Sequence, residues 1–489
     1  GLNTNDQLVG GGGNDTVVLN GPTGLTFNAT TITGVEQIQL TDGYIYAITT
    51  DDGNVSAGQT LTVDGSALST GNQLTFIGSA ETNGRFAITS GAGSDFLTGG
   101  AGNDAISSND GDDIINIGIG GNDTVFAGDG NDTINAGAAL NSLDTIDGGA
   151  GNDTLALLGN YSIAMSGVTN VETITLGAGF NYTLVSHNAT VAAGETMTID
   201  ASALGGGNSV IFSGAAESDG NFVFIGGAGT ETITGGAGND TFVMGSSLAA
   251  TDLLIGGLGQ DVLTLDGDYT LTFTPTTIRS IEKIVVGSGH DYNLITNNST
   301  VASGETLTVD GSALGSGNSL TFSGAADTDS GFAVTGGAGN DTLTGGAGVD
   351  TLTGGAGSDT LTGGNGADRF VYGSVNDSAS IWYDKVVGFD FAQDRFVIPT
   401  AVTGVDTTIT NALSSASFDN DLTAAISAAN LGANRAVLFQ ANSGSLSGHT
   451  FVIVDGNGTA GYQAGLDRVM ELVSPKVGSL TIANFATGT

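Results

Sequence analysis

Between Gly336 and Phe370 the chain reads GGAGNDTLT GGAGVDTLT GGAGSDTLT GGNGADRF, with Asp341, Asp350, Asp359 and Asp368 spaced nine residues apart. A period this strict, with glycines at fixed offsets, leaves few folds open. The glycines tolerate positive φ and carry no Cβ, so the chain can turn tightly and aim carbonyl oxygens inward. The Thr-Leu-Thr that follows is a short strand whose alternation sends Leu343, Leu352 and Leu361 to one face and the threonines to the other. One leucine per repeat makes no core by itself, so successive coils must stack. With two nonapeptides to a coil, Asp341 faces Asp359 and Asp350 faces Asp368. A flexible glycine-rich linker is the bland alternative, but a linker needs no hydrophobic residue and acid in register.

Two carboxylates that close repel unless a cation lies between them, and a site of carboxylates and carbonyl oxygens suits a hard, oxygen-seeking ion. Calcium is the expected cofactor, in multiple copies. Nine basic residues stand against 50 acidic ones, for a net charge of −41, yet the 39% hydrophobic content is too high for a disordered acidic tail. Folding coupled to calcium resolves that conflict, at roughly one ion per well-formed loop. Nucleic acid and anionic membranes are poor partners for such a surface. No run approaches the roughly 18 apolar residues of a transmembrane span, and no basic-plus-apolar leader opens the sequence. Without cysteine the chain cannot be stapled by disulfides, which leaves extracellular calcium as the substitute.

A longer period overlies the short one. GGGGNDTVVL, GGAGNDTLAL and GGLGQDVLTL carry Asp15, Asp153 and Asp261, with further aspartates nine residues earlier at Asp6, Asp144 and Asp252. Each start leads to an acid at Glu36, Glu172 or Glu282, then to a tyrosine segment near Tyr44, Tyr182 or Tyr292. LTVDGSAL, MTIDASAL and LTVDGSAL follow, with Asp64, Asp200 and Asp310, and each unit closes with LTFIGSAE, VIFSGAAE or LTFSGAAD. Copy one is extended by aspartate loops at Asp95, Asp104, Asp113, Asp123 and Asp132; copy two has a shorter array at Glu231 and Asp240.

The expected fold is all-β: a right-handed parallel β-roll or β-solenoid with calcium-binding nonapeptide arrays, three long internal repeats and a mixed β/α carboxyl-terminal cap. The segments are repeat 1 (residues 1–94), a degenerate array (95–156), repeat 2 (157–225), a short array (226–265), repeat 3 (266–335), the regular array (336–371) and the carboxyl-terminal region (372–489). Between arrays the strands alternate and recur without helical periodicity, which fits wider, metal-free solenoid coils and also fits an inserted immunoglobulin-like sandwich. Glu36, Glu172 and Glu282 share a face with apolar residues and must therefore be paired or metal-bound. Accepting backbone N–H bonds from the next coil and ligating calcium are both open to them. Asp64, Asp200 and Asp310 cap turns. Beyond Phe370, Asp384 aligns with Asp252 and Asp394 with Asp261, as a decayed fourth start. An amphipathic helix near Asp421 to Leu431 and strands at AVLFQA, HTFVIVDG and DRVMELV follow, with Trp382 and Tyr383 packing this cap over the raw edge of the solenoid.

The nonapeptides resemble the arrays of RTX proteins, which Gram-negative bacteria secrete through type I systems, and the region after Phe370 is similar to their carboxyl-terminal flanking and secretion segment. The resemblance implies a protein that leaves the cytosol unfolded through the type I secretion machinery and folds on meeting calcium outside, at the cell surface or free. It implies metal ligands at Asp341, Asp350, Asp359 and Asp368, with carbonyls of Gly337, Gly339, Gly346, Gly348, Gly355 and Gly357. Further ligands would be Asp6, Asp15, Asp95, Asp104, Asp113, Asp123, Asp132, Asp144, Asp153, Asp240, Asp252 and Asp261. The long units are also similar to bacterial surface-layer and cell-surface proteins, which implies self-association into a lattice or filament.

No catalytic constellation is legible. The three histidines, His187, His290 and His449, form no H-E-x-x-H, no G-x-S-x-G occurs, and a thiol nucleophile is impossible. Two functions fit: a structural surface protein, or the calcium-binding portion of a longer adhesin, toxin or enzyme whose active domain precedes Gly1. The second is suggested by a start in mid-array at GLNTNDQLVGGGGND.

Overall fold

The computed structural model describes Leu2 and residues 5–488; Gly1, Asn3 and Thr4, part of that mid-array start, lie outside the described residues. The fold is a parallel β-solenoid built from strands of two to eight residues, with one α-helix among the described residues, Phe418–Ala425. Two compact units are distinguished, Gly1–Val243 with Gly256–Gly259, and Met244–Ile255 with Gln260–Thr489.

In the first unit, strands alternate between facing sheets as the chain advances, and along each run a strand pairs in parallel with the one a coil later. Thr60–Asp64, Arg85–Thr89, Ala105–Ser107, Thr124–Asp129 and Thr145–Ala150 form one such run. Phe96–Thr98, Ile114–Asn116, Thr133–Gly137, Thr154–Leu157, Thr173–Leu176 and Thr196–Asp200 form another. The register places one apolar residue of each coil on the next: Leu97, Ile115, Ile134, Leu155, Ile174, Ile199 and Phe224. All are buried, so the one leucine-like residue per strand becomes a continuous core by stacking.

The second unit repeats the arrangement. One ladder runs Leu271, Leu294, Phe322, Leu343, Leu361, Val386 and Leu472. The other runs Leu263, Ile284, Val309, Val334, Leu352, Phe370, Phe396 and Phe485. Ladder residues are 18 positions apart inside the array, as from Leu343 to Leu361, and 25 apart at Ile284 to Val309. The regions between arrays are thus wider coils of the same solenoid construction, and no sandwich is inserted among the described residues. A tyrosine marks each wide stretch: the hydroxyls of Tyr182 and Tyr292 reach carbonyls of two different turns, and in copy one that place belongs to Tyr46 rather than Tyr44.

After the array the sheet changes character. Thr450–Val454 runs antiparallel to both Ala436–Ser443 and Arg468–Val473, and the last of these returns to pair in parallel with Asp384–Val387. Phe485–Thr487 does the same on Arg395–Ile398, so late sequence supplies the final strand of both runs. The helix occupies Phe418–Ala425 instead of starting near Asp421, because Asp421 accepts hydrogen bonds from Ser414 and Ser417 at its amino-terminal turn. Ile426 leaves helical geometry at φ −113°, ψ 84°. Tyr383 packs between Phe418 and Phe451, but Trp382 is 64% exposed and does not pack the cap.

Candidate metal centre

The aspartates of the arrays form hydrogen-bonded ladders along the edge of the coils. In the second unit the N–H of Asp341 donates to Oδ1 of Asp359 at 2.7 Å, and that of Asp359 to Oδ1 of Asp384 at 2.9 Å. Beside it, Asp350 donates to Asp368 and Asp368 to Asp394, each at 3.1 Å. The first unit has the same construction through Asp95, Asp113, Asp132, Asp153 and Glu172, and through Asp104, Asp123 and Asp144. Asp341 thus faces Asp359 and Asp350 faces Asp368, as the nine-residue period requires. Glu36, Glu172 and Glu282 are the next rungs, accepting the N–H of Asp15, Asp153 and Asp261 from the coil before rather than the coil after. Asp64, Asp200 and Asp310 accept the N–H of the serine two residues on, which is the turn-capping role.

The second carboxylate oxygen divides the loops into two kinds. In the loops of Asp95, Asp104, Asp240, Asp341 and Asp350, Oδ2 accepts the N–H of the glycine four residues earlier, at 2.7 to 3.3 Å. In those of Asp15, Asp113, Asp132, Asp153, Asp359 and Asp368, Oδ2 is buried and has no hydrogen-bond partner. The backbone explains the difference. Gly355 and Gly357, before Asp359, have φ of +98° and +130°, and Gly364 and Gly366, before Asp368, have +108° and +118°. A left-handed glycine turns its amide away from the carboxylate. A Cβ on Gly355 or Gly357 would come within 2.0 Å of the carbonyl oxygens of Gly337 and Gly339, so only glycine lets the two loops approach this closely. Gly346 and Gly348 stand in the same relation to Gly364 and Gly366.

The wider loops behave otherwise. Asp144 and Asp252 give Oδ2 to the N–H of Asn141 and Ala249, Asp123 accepts from Asp104, and Asp6 lies half-buried near the start of the described residues. Asp240 belongs to the first unit, and Asp252 and Asp261 to the second. Which loops are open was not read from the sequence, although a signal existed: the first two loops of an array rest on a leucine or acid turn, and only later ones rest on another glycine loop.

A buried carboxylate oxygen without a partner is costly. Burial, with the charge of Asp341 beside it, pushes Asp359 up to about 7; burial first, then the charges of Asp394 and Asp350, do the same to Asp368. Asp113 reaches about 8 through burial and the charges of Asp95 and Asp132. Such groups take either a proton or a cation. Among the described residues no three His, Cys, Asp or Glu side chains gather on one point. The ladder supplies one carboxylate per coil, so the remaining ligands must be main-chain carbonyls, a donor set that fits calcium and does not fit a thiolate- or imidazole-seeking metal.

The family model for the RTX calcium-binding nonapeptide repeat (4 copies) matches residues 1–21, 89–120, 117–155, 223–243, 334–361 and 344–379. The chain carries RTX-type calcium-binding repeats. No curated protein matches it. The matched segments hold the open loops of Asp15, Asp113, Asp132, Asp153, Asp359 and Asp368, so the RTX motif and the unpartnered oxygens coincide. RTX nonapeptides bind calcium and are typical of secreted proteins. Among the described residues no helix is long and apolar enough to cross a membrane.

Proposed function

We propose that this RTX protein is a calcium-dependent structural component of a bacterial surface, secreted unfolded by a type I system and assembled outside the cell into a layer, lattice or filament. What supports this reading is the distribution of the open loops. They recur in both compact units, between wide coils of one solenoid construction, so bound calcium would stiffen long stretches of chain instead of serving one module. The ligands would be the unpartnered aspartates together with carbonyls such as those of Gly337 and Gly339. β-Roll repeats of this kind are typical of non-catalytic regions. The seven-segment division of the chain belongs to the same proposal, with the arrays as stiffened collars between repeats. Electron microscopy of the purified protein with calcium and with chelator tests it. Ordered sheets or filaments in calcium alone are expected; separate particles under both conditions, or a native protein whose mass includes a catalytic domain, would overturn it.

A further inference from the structure

Each full repeat contains two tight turns that occupy the place of a glycine loop beneath the array. The first ends in a leucine, at Leu68, Leu204 and Leu314; the second ends in an acid, at Glu81, Glu217 and Asp327. The two are built alike. Leu68 donates its N–H to the Gly65 carbonyl and Glu81 donates to that of Gly78, both at 2.9 Å. The Leu68 carbonyl accepts the N–H of Ala92, and the Glu81 carbonyl that of Ala101, again both at 2.9 Å. The same pairs recur at Leu314 with Ala338 and at Asp327 with Ala347. The fold is therefore content with leucine at this position, and the acid needs another reason.

The three acids are buried, with 0%, 2% and 1% of their surface exposed. One oxygen of each is fixed by backbone donors: Gly84 to Glu81 at 2.7 Å, Ser218 to Glu217 at 3.0 Å and Ser330 to Asp327 at 2.8 Å. The other oxygen, Oε2 of Glu81 and Glu217 and Oδ2 of Asp327, is buried without any partner. Each faces an array aspartate across one glycine. A Cβ on Gly100 would lie 3.1 Å from Cβ of Glu81, while the Gly100 N–H is 2.7 Å from Oδ2 of Asp104. Gly236 stands likewise between Glu217 and Asp240, and Gly346, where a Cβ would lie 3.1 Å from the Asp327 carbonyl oxygen, donates its N–H to Asp350.

We propose that Glu81, Glu217 and Asp327 each hold a divalent, oxygen-seeking cation of the calcium class, shared with the facing carboxylate of Asp104, Asp240 or Asp350. The pairing places an ion at the second loop of each array, with one ligand outside the nonapeptide motif: the matched segments start at residues 89, 223 and 334. The proposal rests on the calcium reading of the arrays.

The test counts bound calcium on the full chain by equilibrium dialysis against radiocalcium, with circular dichroism to verify folding. Glu81→Leu, Glu217→Leu and Asp327→Leu copy the residue that the sister turns already carry. Each substitution is expected to lower the count by about one ion, and the triple variant by about three. The triple variant should also melt higher than the parent in chelator, since a merely structural carboxylate would leave it melting lower. An unchanged count in the folded triple variant overturns the proposal. Should leucine disturb folding, Glu81→Gln, Glu217→Gln and Asp327→Asn keep the shape, and the same loss of ions is required of them. A parent chain that binds no calcium sinks the reading of the arrays as well; an unchanged count in the variants alone sinks only these three sites.

Discussion

Stripping calcium from the chain leaves Asp359 with two choices, a bare charge in a dry site or a proton. Its Oδ2 has no partner, and burial and the Asp341 charge move it from 3.8 to about 7. Between those values the folded calcium-free chain holds a proton that the unfolded chain has released, so unfolding stability must fall as pH rises from about 4 to about 7. Three pH units at roughly 1.4 kcal/mol each amount to roughly 4 kcal/mol for this one carboxyl. Asp113, Asp123 and Asp368, at about 8, 7 and 7, act in the same direction. Calcium inverts the sign, because a ligating carboxylate must be deprotonated and affinity then grows with pH. Thermal melts of the full chain, followed by far-ultraviolet circular dichroism at about pH 5 and about pH 8, separate the two cases. In chelator the protein should melt higher at the acid pH, and in millimolar calcium the gap between the two curves should widen toward the alkaline pH. A chelated protein whose stability is flat or rises across that interval would refute the reasoning.

Other expectations follow from single positions. Gly357→Ala sets a Cβ 2.0 Å from the Gly339 carbonyl at a φ of +130°, whereas Gly289→Ala, at φ +86°, meets nothing within 4 Å. The second should cost about 1–2 kcal/mol in denaturant unfolding; the first should cost more and weaken calcium binding in a titration. Asp359→Asn should remove an ion from the dialysis count, while Asp341→Asn, whose Oδ2 is held by the Gly337 N–H above the Leu314 turn, which offers no second carboxylate, should leave the count unchanged and lower only the melting temperature. Tyr182 shares its hydroxyl between the carbonyls of Leu157 and Gly177, both at 3.0 Å. Tyr182→Phe should destabilise by about 1 kcal/mol in calcium-saturated chain, measured as a shift in the denaturation midpoint with unchanged slope.

The fold was largely legible because one period fixed it. Leucine, acid and glycines in nine-residue register permit stacking of alternate repeats and little else, and Leu343 on Leu361 is the outcome. The wide coils were also legible, since Ile174 and Ile199 keep the same alternation over a longer loop. What escaped were features decided by neighbours in space. Whether Asp341 or Asp359 keeps a free oxygen depends on the turn beneath its loop, which lies a whole coil away in sequence. Glu172 was legible as an acceptor of a backbone N–H from a neighbouring coil, and only stacking shows that the donor is Asp153 in the coil before. The exposure of Trp382 and the return of Arg468–Val473 to the roll depend on packing in a region that no longer repeats.

The central claim is that calcium occupies the loops whose glycines are left-handed. Its most direct test is an anomalous difference map from crystals of the full chain grown in calcium. Peaks are required beside Oδ2 of Asp359 and Asp368, against the carbonyls of Gly337, Gly339, Gly346 and Gly348, and at the loops of Asp113, Asp132 and Asp153. Loops at those positions holding only water, in a chain saturated with calcium, would contradict it.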